Sequence, residues 1–241
     1  MKTSNVFFAL LRRIVRKALY LVGRNPNLFD LIFYKMFRNS KFNFNETSLF
    51  YYYSMHNETF RNERSVEIPI VMEYVKHYQN KKILEVGNVL NHYLQFEHTI
   101  VDKYEKGDFV LNYDITEFKP SEKYDLIVTI STLEHVGWDE YSRYGDITSN
   151  HNDPKQLLRA IDNMKQMLSP MGTIVATMPL GFNSYLDSLI GRNKLGFSEE
   201  YFMKRISEDN EWKQVLYSDV IGAKYADPYP CANSIIVGIF H

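Results

Sequence analysis

Four short apolar runs in this chain each end on a residue able to accept or move a proton. "ILEVG" passes through Glu85 into Gly87 and Asn88, "HTIVD" stops at Asp102, "FVLNYDI" leads to Asp114 and Ile115, and "YDLIVTISTLEH" delivers Ser131, Glu134 and His135. A carboxylate at the end of a strand can accept hydrogen bonds from both hydroxyls of a ribose, or from the amino group of a base. A neutral imidazole titrates near physiological pH and can take a proton. Singly, such residues more often cap strands or face solvent. Their order and shared register at strand ends is what points to a ligand.

The elements that must hold them are readable from periodicity. Apolar runs at residues 83–86, 99–101, 109–111, 126–130, 173–177 and 234–240 alternate with helical patterns. A helix over 66–78 precedes the first run. In "DPKQLLRAIDNMKQML", Asp153 is placed to cap, Pro154 suits the first turn, and Leu157, Leu158, Ile161, Met164 and Leu168 form one stripe. Strands alternating with helices predict an α/β fold with a doubly wound, mainly parallel sheet, whose ligands bind at the carboxyl ends of the strands.

With 241 residues, 45% of them hydrophobic, the chain can bury one core and an appendage. The single Cys231 excludes an internal disulfide and an all-cysteine metal site, which fits a reducing, cytoplasmic setting. Charge divides the chain: residues 1–41 hold nine Lys and Arg against Asp30, a net of +8, and the other 200 hold 19 bases and 28 acids, a net of -9. We divide it into a basic helical extension, 1–60, and a domain, 61–241. In the extension, Phe7, Phe8, Leu11, Ile14, Val15, Ala18, Leu19 and Val22 recur at helical spacing against Arg12, Arg13, Arg16 and Lys17. Those bases interrupt the run too often for a membrane span. Two readings stay open: a helix lying on an anionic membrane face, through residues 1–41, or one packed on the domain with its bases solvated. The acidic remainder offers no basic stripe for nucleic acid.

The strand-end segments "ILEVGNVLNHY", "TIVDKY", "NYDITEF" and "YDLIVTISTLEHV", with "MLSPMGTIVATMPLG", together resemble the successive motifs of a class I, Rossmann-like S-adenosylmethionine-dependent methyltransferase over roughly residues 66–241. The resemblance implies a seven-stranded sheet whose last strand, "ANSIIVGIF", is antiparallel. It implies S-adenosyl-L-methionine as cofactor, with Glu85 and Gly87 beside its methionine part, Asp102 on the ribose, Asp114 with Ile115 at the adenine, and Ser131 closing the site. Asn88 can add a polar contact. The chain departs from the pattern in the first loop, where Val89 and Asn91 replace glycines. Such a loop suits a cofactor without phosphate better than a dinucleotide, whose pyrophosphate needs glycines to let amides approach.

Three rivals follow. A nucleotide-sugar reductase or epimerase lacks its Gly-x-Gly-x-x-Gly fingerprint here. A metal site from His135, Asp146, His151 and Asp153 matches no usual ligand spacing, so no metal is expected. A non-catalytic nucleoside or saccharide binding module on the same fold stays open. For methyl transfer, His135 is the candidate base, with Asp139 and Glu140 weaker candidates for base or orienting group. Trp138, Tyr141, Tyr144 and His151 lie in a long polar and aromatic loop that could bind an acceptor, either a small molecule or a glycan or lipid-linked saccharide. A second insertion, residues 179–207, is read as closing the same side.

Overall fold

The structure is a computed structural model that describes residues 2–23, 25–37, 40–139, 142–143, 153–191 and 194–241, without the side chains of 2–9 and 37. An eight-stranded sheet runs in the order β5-β4-β3-β6-β7-β10-β8-β9. Its parallel part comprises β3 (Ile83–Val86), β4 (Thr99–Val101), β5 (Val110–Leu111), β6 (Tyr124–Ile130) and β7 (Leu168–Pro179). The last strand, β10 (Ser234–Phe240), runs antiparallel to both β7 and β8 (Glu199–Arg205), and β9 (Trp212–Val215) extends that edge.

The count is therefore eight rather than seven. Residues 199–205, read as part of a loop insertion, pair with β10 instead. Their charged pattern "EEYFMKR" hides a strand whose Phe202 and Met203 are buried on opposite faces.

Both faces of the sheet are covered, and neighbouring residues along a strand enter different cores. Leu84, Ile127, Ile174 and Ile236 pack with α4 (Gln156–Met167); Ile83, Leu126, Val128, Val175 and Ile235 pack with α3 (Arg64–His77). Leu157, Ile161 and Met164 of α4 are almost wholly buried, and truncating any one to Ala would cost about 2–5 kcal/mol. This helix starts later than the cap signal suggests. The Asp153 side chain accepts from Lys155 N in a preceding turn and pairs with Arg159, so it stabilises the approach rather than capping α4.

Helix α3 carries Pro69, which cannot donate to the Ser65 carbonyl one turn back. Tyr52 N supplies that bond at 2.9 Å, tying α3 to the chain that leads into it. The lead-in itself is not helical throughout. Helices α1 (Lys2–Leu21) and α2 (Asn27–Phe37) are followed by a hairpin of β1 (Lys41–Phe44) and β2 (Thr47–Phe50). Asn45 and Glu46 turn it at positive φ, and Phe42, Phe44 and Leu49 close over the α3 face of the sheet.

Candidate active site

From β3 the chain moves outward to β4 and β5, then returns to the other side of β3 as β6. The carboxyl ends of β3 and β6 therefore flank the point where strand order reverses, the usual ligand crevice of such sheets. A cavity of about 300 Å³ opens there. Gly87 and Asn88 reach it from β3, Asp102 from β4, Asp114 and Ile115 from β5, and Ser131 and His135 from β6. Val86, Val101 and Val136 supply apolar wall.

The loop after β3 is held from within. Glu85 is fully buried, and its Oε1 accepts from Val89 N at 2.8 Å and Leu90 N at 2.5 Å, while Oε2 lies 2.7 Å from His98 Nε2. Gly87 N donates to Val101 O, and Asn88 N donates to Asp102 Oδ2. The amides of residues 87–90 thus point at the protein, and the short 3-10 turn Leu90–His92 replaces a crossover helix. Gly87 has φ +85°, and a Cβ there would lie 2.1 Å from Thr132 Oγ1. That glycine is needed so that the loops after β3 and β6 can touch.

Carboxylates line the same side. Asp102 Oδ1 accepts from Tyr104 N and Glu105 N at 2.8 and 2.7 Å. Glu105 in turn takes the Asn88 amide group at 2.7 Å and lies 2.7 Å from His92 Nε2. Burial favours the neutral form of Asp114, but hydrogen bonds from the Thr116 hydroxyl and amide and the ammonium of Lys103 outweigh it, so its pKa lies below the ordinary aspartate value.

The loop after β6 is built differently. Ser131 sits at φ +38°, a costly conformation for a non-glycine residue, and its hydroxyl donates to the buried Glu67 at 2.7 Å. Glu67 also pairs with Arg64 at 2.7 Å. Glu63 and Glu134 share this buried neighbourhood. Burial, then the charges of Glu67 and Glu63, push the Glu134 carboxyl well above the usual glutamate range. Its Oε2 meets no hydrogen-bonding partner among the described residues. Arg64 is held in its charged form because Glu67, Glu63 and Glu134 outweigh the cost of its burial.

His135 lies at the cavity with Nδ1 2.8 Å from Asp139 Oδ1 and Nε2 2.5 Å from Arg143 Nη1. In that arrangement Nδ1 carries the proton, donated to Asp139, and the Nε2 lone pair accepts from Arg143. The loop is pinned by Asn183, which caps the short α5 (Ser184–Leu189) through the amides of Tyr185 and Leu186 and donates to Glu134 O at 2.7 Å.

Of the residues singled out from sequence, Gly87, Asn88, Asp102, Asp114, Ile115, Ser131 and His135 share one cavity. Glu85 does not line it, because its carboxylate is consumed beneath the loop, and Trp138 does not line it either. Asp139 stands behind His135. Glu140, Tyr141, Tyr144 and His151 fall outside the described residues. Sequence reading missed Glu105 and Arg64. Glu105 looks like one acid among many in "VDKYEKGD", and Arg64 with Glu67 reads as an ordinary surface pair three apart on a helix. Among the described residues no group of three or more His, Cys, Asp or Glu is placed to hold a metal ion.

No protein-family model and no curated protein matches the chain. Similar solved structures include the N-methyltransferase NodS of Bradyrhizobium japonicum in complex with S-adenosyl-L-homocysteine: 16% identity, 70% of this chain and 83% of that one, TM-score 0.42. A SAM-dependent methyltransferase from Archaeoglobus fulgidus is 15% identical over 77% of this chain and 97% of that one, with TM-score 0.46. The CcbJ methyltransferase of Streptomyces caelestis is 11% identical over 70% and 87%, with TM-score 0.36. At such distances the chemistry of this chain has to be read from its own residues.

Proposed function

We propose that the protein is an S-adenosyl-L-methionine-dependent methyltransferase. The observation that carries this reading is the pairing of a switch-point cavity with a first loop whose amides are all turned inward. Beside that loop a pyrophosphate would meet the carboxylates of Asp102 and Glu105 instead of a nest of N–H groups. A cationic nucleoside without phosphate suits the same acids. This also weighs against the dinucleotide-dependent reductase or epimerase, as does Tyr78 of the Tyr-x-x-x-Lys stretch Tyr78 to Lys82, whose hydroxyl bonds Thr173 rather than entering the cavity.

The donor set fits that ligand. Asp102, with Glu105 beside it, can accept from ribose hydroxyls, and Asp114 from an adenine amino group. Arg64 at the cavity wall offers a cation to a carboxylate. When bound, the cofactor supplies a methyl group on a sulfonium, so its leaving group is already activated. What remains for the protein is alignment, exclusion of water and removal of the acceptor's proton. Val86, Val101 and Val136 exclude water. His135 Nε2 takes the proton once the acceptor displaces Arg143, and Asp139 fixes the ring and stabilises the imidazolium that forms.

The His135–Asp139 pair supports an acceptor that has to lose a proton, and we favour a hydroxyl of a glycan or lipid-linked saccharide. Titration calorimetry with S-adenosylhomocysteine, with NAD(H) in parallel, tests the cofactor without knowledge of the acceptor. Saturable binding of the former alone supports methyl transfer. If neither binds, the non-catalytic binding module becomes the better reading.

A further inference from the structure

Helix α1 docks on the protein with its cationic side. Arg12 is 6% exposed; it bonds Tyr34 and Asp209 and lies over the Tyr34 ring. Arg13 reaches Glu208, and Arg16 lies 3.3 Å from the buried Asp30 of α2. The bases are therefore not merely solvated, and the ion pairs set the roll of the helix. The apolar side is left facing out: Leu10, Ile14 and Leu21 are 56%, 58% and 76% exposed. On the neighbouring α2, Leu28, Ile32 and Met36, spaced four apart on one face, are also exposed. Exposed lysines accompany both rows, Lys17 within the first and Lys35 beside the second.

We propose that this two-helix face docks on the surface of an anionic lipid bilayer. Rows of large apolar side chains flanked by bases form the pattern of a helix lying in the headgroup region. No described helix is long and apolar enough to cross a membrane, so the contact is peripheral. Charge selects the surface: residues 1–41 carry a net of +8, which is +6 once the paired Glu208 and Asp209 are counted with them, so an anionic plane attracts these helices. A cavity of about 640 Å³ lined by Arg12, Arg13, Arg16, Lys17 and Tyr20, with the carboxylate of Glu208 already on Arg13, offers room for a headgroup phosphate at Arg16 and Lys17. A second copy of the chain is a poorer occupant, because pairing these faces would bury Lys17 and Lys35 among like charges. In a bilayer each lysine extends its ammonium to the phosphates.

The docking face is linked to the cavity through the 3-10 turn His56–Arg61. Glu58 and Arg61 hold Asn27 and Asp30 of α2, while His56 and Asn57 line the cavity. The docking itself does not depend on the methyl-transfer reading.

The test is co-sedimentation of the full chain with phosphatidylcholine vesicles containing about 30% phosphatidylserine, against phosphatidylcholine alone. Binding should require the anionic lipid and weaken as salt rises. Ile14→Asp with Ile32→Asp should lower partitioning at least about tenfold, and Lys17→Glu with Lys35→Glu should lower it by about fivefold or more per lysine. All four positions are exposed, so the variants should keep the wild-type thermal midpoint; S-adenosylhomocysteine binding by the same variants reports on the cavity separately. Failure of the folded wild type to sediment, or sedimentation of the apolar double variant like wild type, would overturn the proposal. So would a dimer in sedimentation velocity that the apolar double variant abolishes, which would assign the face to a second copy.

Discussion

The loops that leave β3 and β6 emerge side by side and line one cavity, yet they are built on opposite principles. After β3 and the adjoining end of β4 the buried Glu85 and the half-buried Asp102 accept from the amides of Asn88, Val89, Leu90, Tyr104 and Glu105. Each carboxylate there is surrounded by donors, and the loop is fixed before any ligand arrives. After β6 the backbone is strained at Ser131, Glu134 is buried with an oxygen lacking a partner among the described residues, and His135 turns a lone pair outward to Arg143. A satisfied loop is a rigid surface to bind against; a strained loop with a poised proton acceptor is where chemistry is done.

If that contrast is right, substitutions on the two sides should separate binding from turnover. The largest effect is expected at His135→Ala: turnover should fall about 10²–10⁴-fold, with S-adenosylhomocysteine affinity nearly unchanged. Full activity in a steady-state assay would remove His135 as the base. Next comes Glu85→Ala, which strands two buried amides and the His98 ring. It should cost about 3 kcal/mol or more in urea unfolding although Glu85 never touches the cavity. Asp102→Ala makes the control from the same side, because Asp102 faces the cavity. Its signature should be S-adenosylhomocysteine affinity weakened by about tenfold or more; unchanged affinity would refute the ribose role.

The same contrast explains what the sequence disclosed. Ile83–Val86, Thr99–Val101 and Ser234–Phe240 are found at the residues their apolar runs mark, because strands covered on both faces are mainly apolar, with the buried Glu85 the charged exception. The residues at their carboxyl ends converge because topology leaves them one crevice. The β1–β2 hairpin carried a period-two signal in "KFNFNETSLF", with Asn45-Glu46 at its turn, but it lay inside a stretch dominated by helical periodicity and aromatic residues. Strand β8 was hidden by its charges, which an antiparallel edge region tolerates. Glu85 was legible as a strand-end acid but not as the inward clasp of its loop, since that role is decided by the amides of residues four and five positions later. Arg64 could not be placed from sequence at all, because its acids come from α3 and, across the fold, from Glu134.

Glu134 provides the finest probe of the loop after β6, through the pH dependence of stability. Burial, reinforced by Glu67 and Glu63, raises its folded pKa above the unfolded value. The folded state therefore holds a proton that the unfolded state releases as pH rises past the ordinary glutamate range, and by linkage stability falls over that interval. Below that range both states are protonated and the residue contributes no slope. Glu134→Gln removes the titrating group, so its stability relative to wild type should be flat in acid and improve steadily as pH climbs towards neutrality. Denaturant unfolding of the two proteins across this range measures the difference directly. A constant offset would mean that Glu134 titrates when folded as it does in the unfolded chain, the charge of Arg64 offsetting its burial. The loop after β6 would then be charge-satisfied like the loop after β3, and its reactivity would have to come from His135 and Asp139 alone.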